Sequence, residues 1–328
     1  MSSVRSLVAK IPSQSAWTKN FRIKSTSKPP RCTIANMDTA DNAFNKLQKH
    51  TKWTDLQKKK MTVIEMNPGL GAWTAALFNG GFKKIFTLEP NVHYFEHIKA
   101  LAEDSKGGII PLKKDGYDWE TYNELKDEKY LGDLVDMDWT HVNQNILFTG
   151  TLPKTVKGEQ LLAQFATCIV NKMALHSMGR IQMALWMPDQ LLSKFISPPG
   201  SATRCKMGVV TEACADVRVL YSTSAESVYP YNLYHLVHIV PFQNAKIKAD
   251  WDVFEYVIKH IFVKQRNPLN KMVCTLGPGA DIILKRLSFD TNTPVGNLTV
   301  EQINELAVKF DQWPLRPRVL FEDAYAIV

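Results

Sequence analysis

Apolar positions in the first two-thirds of the chain alternate between short continuous runs and stripes at helical spacing. Runs at 61–65, 85–88, 109–112, 144–149 and 181–186 are bounded by Gly, Pro, Asn or Asp, the pattern of strands buried on both faces. Between them, 72–78, 91–102, a stretch from Asp118 and 159–170 read as helices. In 91–102, Val92, Phe95, Ile98 and Leu101 or Ala102 share one face. The helix at 72–78 stops at Asn79-Gly80-Gly81, a left-handed C-terminal cap. Sparse apolar positions Phe44, Leu47 and Trp53 predict one more helix over 42–57, leading into the first strand. Strands alternating with helices predict a parallel sheet covered on both faces.

The texture changes after residue 207. Met207–Val210, Val217–Tyr221 and His235–Val240 read as short strands completing the sheet with an antiparallel edge. From Trp251 the pattern is helical, with Trp251, Phe254, Ile258, Ile261, Phe262 and Gln265 on one face and Lys259, Lys264 and Arg266 away from it. Asn267-Pro268 caps and starts another helix. Thr299 with Gln302 three residues on signals a third, with Leu298 placed to staple onto Ile303. The expected organisation is a basic arm over 1–35, an α/β domain over 36–245 and a small all-helical domain over 246–328.

Composition agrees with a large core, since 45% of the 328 residues are hydrophobic and only 22% charged. The uncharged stretch Ser227–Ala245 carries two prolines and two histidines, so no membrane span is expected. Cys32, Cys168, Cys205, Cys214 and Cys274 form no CxxC pair and no zinc spacing, so they read as reduced thiols and no metal is expected. The net charge of +8 is concentrated at the start: residues 1–37 hold seven basic residues and no acid, and the remaining 33 Lys and Arg face 32 acids. An acid-free, Ser-, Arg- and Lys-rich start predicts a mitochondrial targeting segment, with a disordered nucleic-acid-binding arm as the alternative. Ser25–Arg31, with Pro29-Pro30, reads as a linker.

Chemistry gathers at the predicted carboxyl ends of the strands. Val63 to Gly71 is a strand ending in Glu65, a turn through Asn67, Gly69 and Gly71, and a helix opening at Ala72. Glycines in that place let a ligand approach the backbone closely. Asn67 stands at the first expected glycine; asparagine tolerates a left-handed backbone, but its side chain enters the space of the ligand. Glu65, Glu89 and Asp115 end three successive strands. The second acid is placed to accept both hydroxyls of a ribose and the third to accept from an adenine amine. Together they predict an adenosine-type site, with S-adenosylmethionine the usual occupant.

Glu65 to Gly71, the Glu89 strand end, Lys114 to Trp119, Ala184 to Pro188 and Trp313 to Pro317 together resemble the rRNA adenine dimethyltransferase superfamily, over roughly residues 40–320. Within it they are most similar to the branch of fungal mitochondrial transcription initiation factors, the B factors. The resemblance implies a Rossmann-like class I methyltransferase sheet with a small C-terminal helical domain. It also implies a substrate loop of Asn-Leu-Pro-aromatic type, whose amide and proline carbonyl hold the target amine and whose ring stacks on the extruded base. Here that loop is Thr151-Leu152-Pro153-Lys154, without the amide or the stacking ring. Loss of catalysis follows, and S-adenosylmethionine becomes an allowed but not required ligand.

Residues 151–210 carry seven basic residues (Lys154, Lys157, Lys172, Arg180, Lys194, Arg204 and Lys206) against two acids, whereas 111–150 carry four against nine. The division predicts one basic wall for phosphates, with Tyr117 and Trp119 as stacking platforms for unpaired bases. Three readings stand. The first is a monomeric, noncatalytic initiation factor of the mitochondrial matrix that joins the single-subunit mitochondrial RNA polymerase and traps melted promoter DNA. The second is an active S-adenosylmethionine-dependent dimethyltransferase of mitochondrial small-subunit rRNA. The third is a ribosome-assembly or RNA-binding protein without polymerase contact.

Overall fold

In the computed structural model, which describes residues 6–21, 30–127, 130–134, 138–318 and 320, the chain divides into two units. The first holds the residues up to Leu192 with Asp216–Gln243, the second Ser193–Ala215 with the residues from Asn244.

The first unit begins with helix α1 (Gln14–Asn20), the short strand β1 (Thr33–Ile34) and helices α2 (Met37–Thr51) and α3 (Asp55–Lys60). Strands and helices then alternate: β2 (Thr62–Met66), α4 (Ala72–Asn79), β3 (Lys84–Leu88), α5 (Val92–Asp104), β4 (Ile109–Leu112), α6 (Trp119–Leu125), β5 (Ile146–Thr151), α7 (Val156–Asn171) and β6 (Gln182–Pro188). Helices α8 (Asp189–Phe195) and α9 (Lys206–Cys214) precede β7 (Ala215–Ser222), β8 (Val228–Tyr229) and β9 (Tyr234–Pro241). The main sheet runs β4-β3-β2-β5-β6-β9-β7. Its first five strands are parallel and β9 is antiparallel to β6. β2, β5 and β6 are buried along their whole length, which is why their sequence is dominated by apolar residues rather than alternating. The carboxyl ends of β2, β3, β4 and β5 therefore face the same way and bring Glu65, Glu89, Asp115 and Thr151 to one edge. Trp73 of α4 and Trp186 of β6 meet edge to face at 5.4 Å under that edge, and the Trp73 indole donates to Thr149 at 2.9 Å.

Several local expectations are revised. The helix over 42–57 is two helices: Lys52 takes a left-handed backbone (φ 55°) that ends α2, and Thr54 and Gln57 form a capping box that starts α3. Val92 is exposed rather than on the inner face, because Asn91 caps α5 and leaves Val92 on its solvent-side first turn. The basic start is not wholly an unstructured arm. Leu7 exchanges two backbone hydrogen bonds of 2.8 Å with the Asn79 side chain, and Trp17 is buried beside Tyr94, Phe21 and Tyr229. Residues 25–29 of the expected linker lie outside the described residues; Arg31 at its end is not linker but part of the core edge described below.

In the second unit, Met207–Val210 is helix, not strand. A short apolar run has no readable period, and here Gly208 lies so close to Ser197 and the Lys194 carbonyl that a Cβ would stand 2.7–2.8 Å from them, packing that seats α9 as a buried helix. Helices α10 (Trp251–Ile261), α11 (Leu269–Met272) and α12 (Val300–Asp311) follow. The Thr299–Gln302 capping box forms as expected, Leu298 and Ile303 are both fully buried, and Phe310 stacks on Tyr256 at 5.4 Å. Among the described residues no helix is long and apolar enough to cross a membrane.

Candidate functional site

The turn after β2 is built by backbone geometry. Asn67 (φ 56°), Gly69 (φ 60°) and Gly71 (φ 82°) are all left-handed, the conformation in which asparagine is the best-tolerated substitute for glycine. Gly69 admits no side chain: a Cβ there would lie 2.0 Å from the Thr33 hydroxyl, which accepts from Leu70 N at 3.0 Å. β1 is thus packed directly against the turn.

Glu89 is fully buried and engaged at both oxygens. Its Oε1 accepts from Asn91 N at 2.9 Å; its Oε2 accepts from Gly69 N at 3.2 Å and from the Arg31 guanidinium. Arg31 donates its other terminal nitrogen to Asn67 Oδ1 at 2.9 Å, and the Asn67 amide donates in turn to the Thr151 carbonyl at 3.2 Å. A ribose diol needs a free carboxylate at the end of the second strand. With Arg31 on Glu89 and Asn67 spanning the turn, the residues present do not fit that group.

Glu65 is also buried, and its Oε2 has no hydrogen-bond partner. Burial, the largest cause, pushes its carboxyl up to about 8, with the Thr74 hydroxyl opposing the rise and the Glu89 carboxylate adding to it. Asp115, by contrast, is exposed; its carboxylate accepts from Tyr117 N at 3.0 Å and its carbonyl from Asp118 N and the Thr121 hydroxyl.

In the loop after β5, Thr151 is the last residue of the strand and is buried, its carbonyl held by Asn67. Leu152 is tied on both sides, N to the Trp186 carbonyl at 2.9 Å and carbonyl to the Tyr234 hydroxyl at 2.8 Å. Pro153 is half-buried and Lys154 exposed. No side-chain amide points from position 151 and no ring from position 154.

Of the seven basic residues expected to form one wall, four lie in the first unit and three in the second. Lys157, at the first turn of α7, stands 5.4 Å over the Tyr117 ring, whose hydroxyl donates to Gln160 at 3.1 Å. With Trp119 at 39% exposure and Val156 at 73%, these residues and Lys154 make an aromatic and cationic mouth at the ends of β4 and β5. Lys172 caps the other end of α7, about 22 Å away along the axis, and lies over Trp139. Arg180 sits before the start of β6, bonded to the Pro241 carbonyl. The other three basic residues belong to the second unit. There Arg204 is buried against Glu212 and the Ser197 carbonyl, and Lys206 pairs with Glu255 at 3.0 Å; Lys194 is half-buried. Arg31, Thr33 and Tyr94 were not legible as site residues, because no local motif marks a side chain whose partners lie far along the chain.

A model of the ribosomal RNA adenine dimethylase family matches residues 34–312. The chain belongs to this family. Among its relatives is mitochondrial transcription factor 1 of Saccharomyces paradoxus, 28% identical over 320 residues that cover 88% of this chain and 91% of that one. Another is the mitochondrial dimethyladenosine transferase 1 of Vermamoeba vermiformis, 25% identical with 80% and 85% covered. Among solved structures, a dimethyladenosine transferase from Plasmodium falciparum superposes with a TM-score of 0.58 at 12% identity, covering 85% of this chain and 98% of that one. The 23S rRNA methyltransferase ErmE gives 0.54 at 12%, covering 85% and 100%. These two share the fold of this chain over most of its length.

Proposed function

We propose that this chain is a mitochondrial transcription initiation factor that has kept the family's fold and lost its methyl transfer. It joins the single-subunit mitochondrial RNA polymerase in the matrix as a monomer, assists promoter recognition and melting, and holds the unpaired strand. The observation that carries the reading is the state of the substrate loop. Thr151 and Lys154 offer neither an amide to an adenine amine nor a ring to its face, while Tyr117, Trp119 and Lys157 beside them keep an open stacking and phosphate-binding surface. A fold that once extruded a base retains a place for unpaired nucleotides. The similarity to mitochondrial transcription factor 1 of Saccharomyces paradoxus supports the same conclusion.

Promoter-directed transcription on linear duplex, with and without the protein, tests it. Stimulation on duplex and little on a pre-melted template is expected; equal stimulation on both would remove the melting role. The relationship to mitochondrial dimethyladenosine transferase 1 and the exposed Asp115 favour the second reading, an active rRNA dimethyltransferase. Methyl transfer to small-subunit rRNA separates the two, and absence of polymerase in a pull-down would favour the ribosome-assembly reading.

A further inference from the structure

A carboxylate, an amide and an aromatic ring converge on one guanidinium at the mouth of the crevice. Arg31 donates to Glu89 and, at 2.9 Å, to Asn67; its guanidinium carbon stands 5.1 Å over the Tyr94 ring, and the Tyr94 hydroxyl donates to its carbonyl at 3.0 Å. The receiving groups are interior: Glu89 is 0% exposed, Tyr94 1% and Asn67 7%. A planar fork that satisfies two acceptors while stacking on a ring is a task for arginine, not for the point charge of lysine. Two residues on, Thr33 closes against Gly69 and is pinned by pairing with Tyr229 of β8.

We infer that Arg31 is a built-in occupant of the adenosyl position. The chain's own guanidinium takes the Glu89 carboxylate to which a ribose diol would be presented, and so closes the crevice against adenosine-type ligands. Without Arg31, Glu89 and the Gly69 and Asn91 N–H groups form a buried site for a vicinal diol or for a free guanidinium ion. The inference does not rest on the transcription reading: an initiation factor with an open crevice and a non-transcriptional protein with a closed one are both physically coherent.

The test uses the full chain and Arg31→Ala, with adenosine and S-adenosylhomocysteine titrated calorimetrically. The expected result is no saturation of the wild type in the millimolar range and an affinity gain of about tenfold or more in the variant. Equal affinity in both proteins, or none in the variant, overturns the inference. A second readout is thermal. Removing one partner of a buried pair is expected to lower the melting temperature by roughly 10 °C. Methylguanidinium chloride is expected to restore part of that loss in Arg31→Ala and none in wild type, against sodium chloride at equal ionic strength; identical responses overturn the guanidinium site. Should Arg31→Ala not fold, the equally short Arg31→Ser carries the same two expectations. Transcription is not read in any of these arms, so the initiation-factor reading fails or stands separately.

Discussion

One sheet edge carries two differently treated halves. At the ends of β2 and β3 every polar group has been drawn inward: Glu89 is held by Arg31 and two backbone N–H groups, Asn67 bridges to Thr151, and Thr33 fills the hollow at Gly69. At the ends of β4 and β5 the polar and aromatic groups stay outside, with Asp115, Lys154 and Lys157 exposed and Tyr117 and Trp119 partly so. On the proposed reading, the first half is structural support for the second. The halves should accordingly respond to mutation in opposite ways, the closed half through stability and the open half through binding.

The largest effect is expected at Glu89. Glu89→Ala leaves the mostly buried Arg31 unpaired, and breaking a buried ion pair at one partner costs about 3–5 kcal/mol. Denaturant unfolding should show that loss while Tyr117→Ala shows less than about 1 kcal/mol. Comparable losses for the two would erase the distinction between the halves.

Next is the pH dependence. Glu65 has a folded value of about 8 against 4.5 unfolded, so its neutral form favours the fold most fully at acid pH and that contribution is lost as pH rises from 4.5 towards 8. Burial lowers His176 to about 3 and, with His50 adding and Asp216 opposing, His238 to about 4. Their contributions are complete above the unfolded value of 6.5 and vanish as pH falls through that interval. The three together place the stability maximum near pH 6.5, with one group titrating above it and two outweighing that group below it. Glu65→Gln should flatten the alkaline limb, a difference on the order of 3 kcal/mol between pH 5 and 8. An unchanged alkaline limb would mean that Glu65 is ionised in the fold.

How much of this was legible follows from range. The β2 turn, the acids at the strand ends, the altered substrate loop and the Thr299 cap are local patterns, fixed by residues within a few positions of each other. Arg31 meets partners 36 and 58 residues on, and in sequence it sits among basic residues that read as an arm. Charge counted along 151–210 likewise ignores placement in the fold: α7 carries Lys157 and Lys172 to opposite ends. Met207–Val210 failed because β-branched apolar residues fit a buried helix as well as a strand when packing, here at Gly208, decides.

In the open half, Tyr117 is expected to dominate. Base stacking on an aromatic face is worth about 1–3 kcal/mol, so Tyr117→Ala should weaken binding of a single-stranded oligonucleotide by about tenfold or more, and Tyr117→Phe should leave it nearly intact. Loss with phenylalanine would assign the effect to the hydroxyl that meets Gln160, not to stacking.

The smallest effect separates the two ends of α7. A phosphate contact to a single strand contributes about 0.7 to the slope of log affinity against log salt. Lys157 stands over Tyr117, where a strand stacked on that ring would carry its phosphate past the ammonium. Lys157→Ala should therefore lower the slope by about 0.7 while weakening all sequences alike. Lys172 is engaged with Trp139 at the far end of the helix, and Lys172→Ala should leave the slope unchanged. Equal reductions for both would show that nucleic acid runs the length of α7, and the open half would then extend well beyond the mouth formed by β4 and β5.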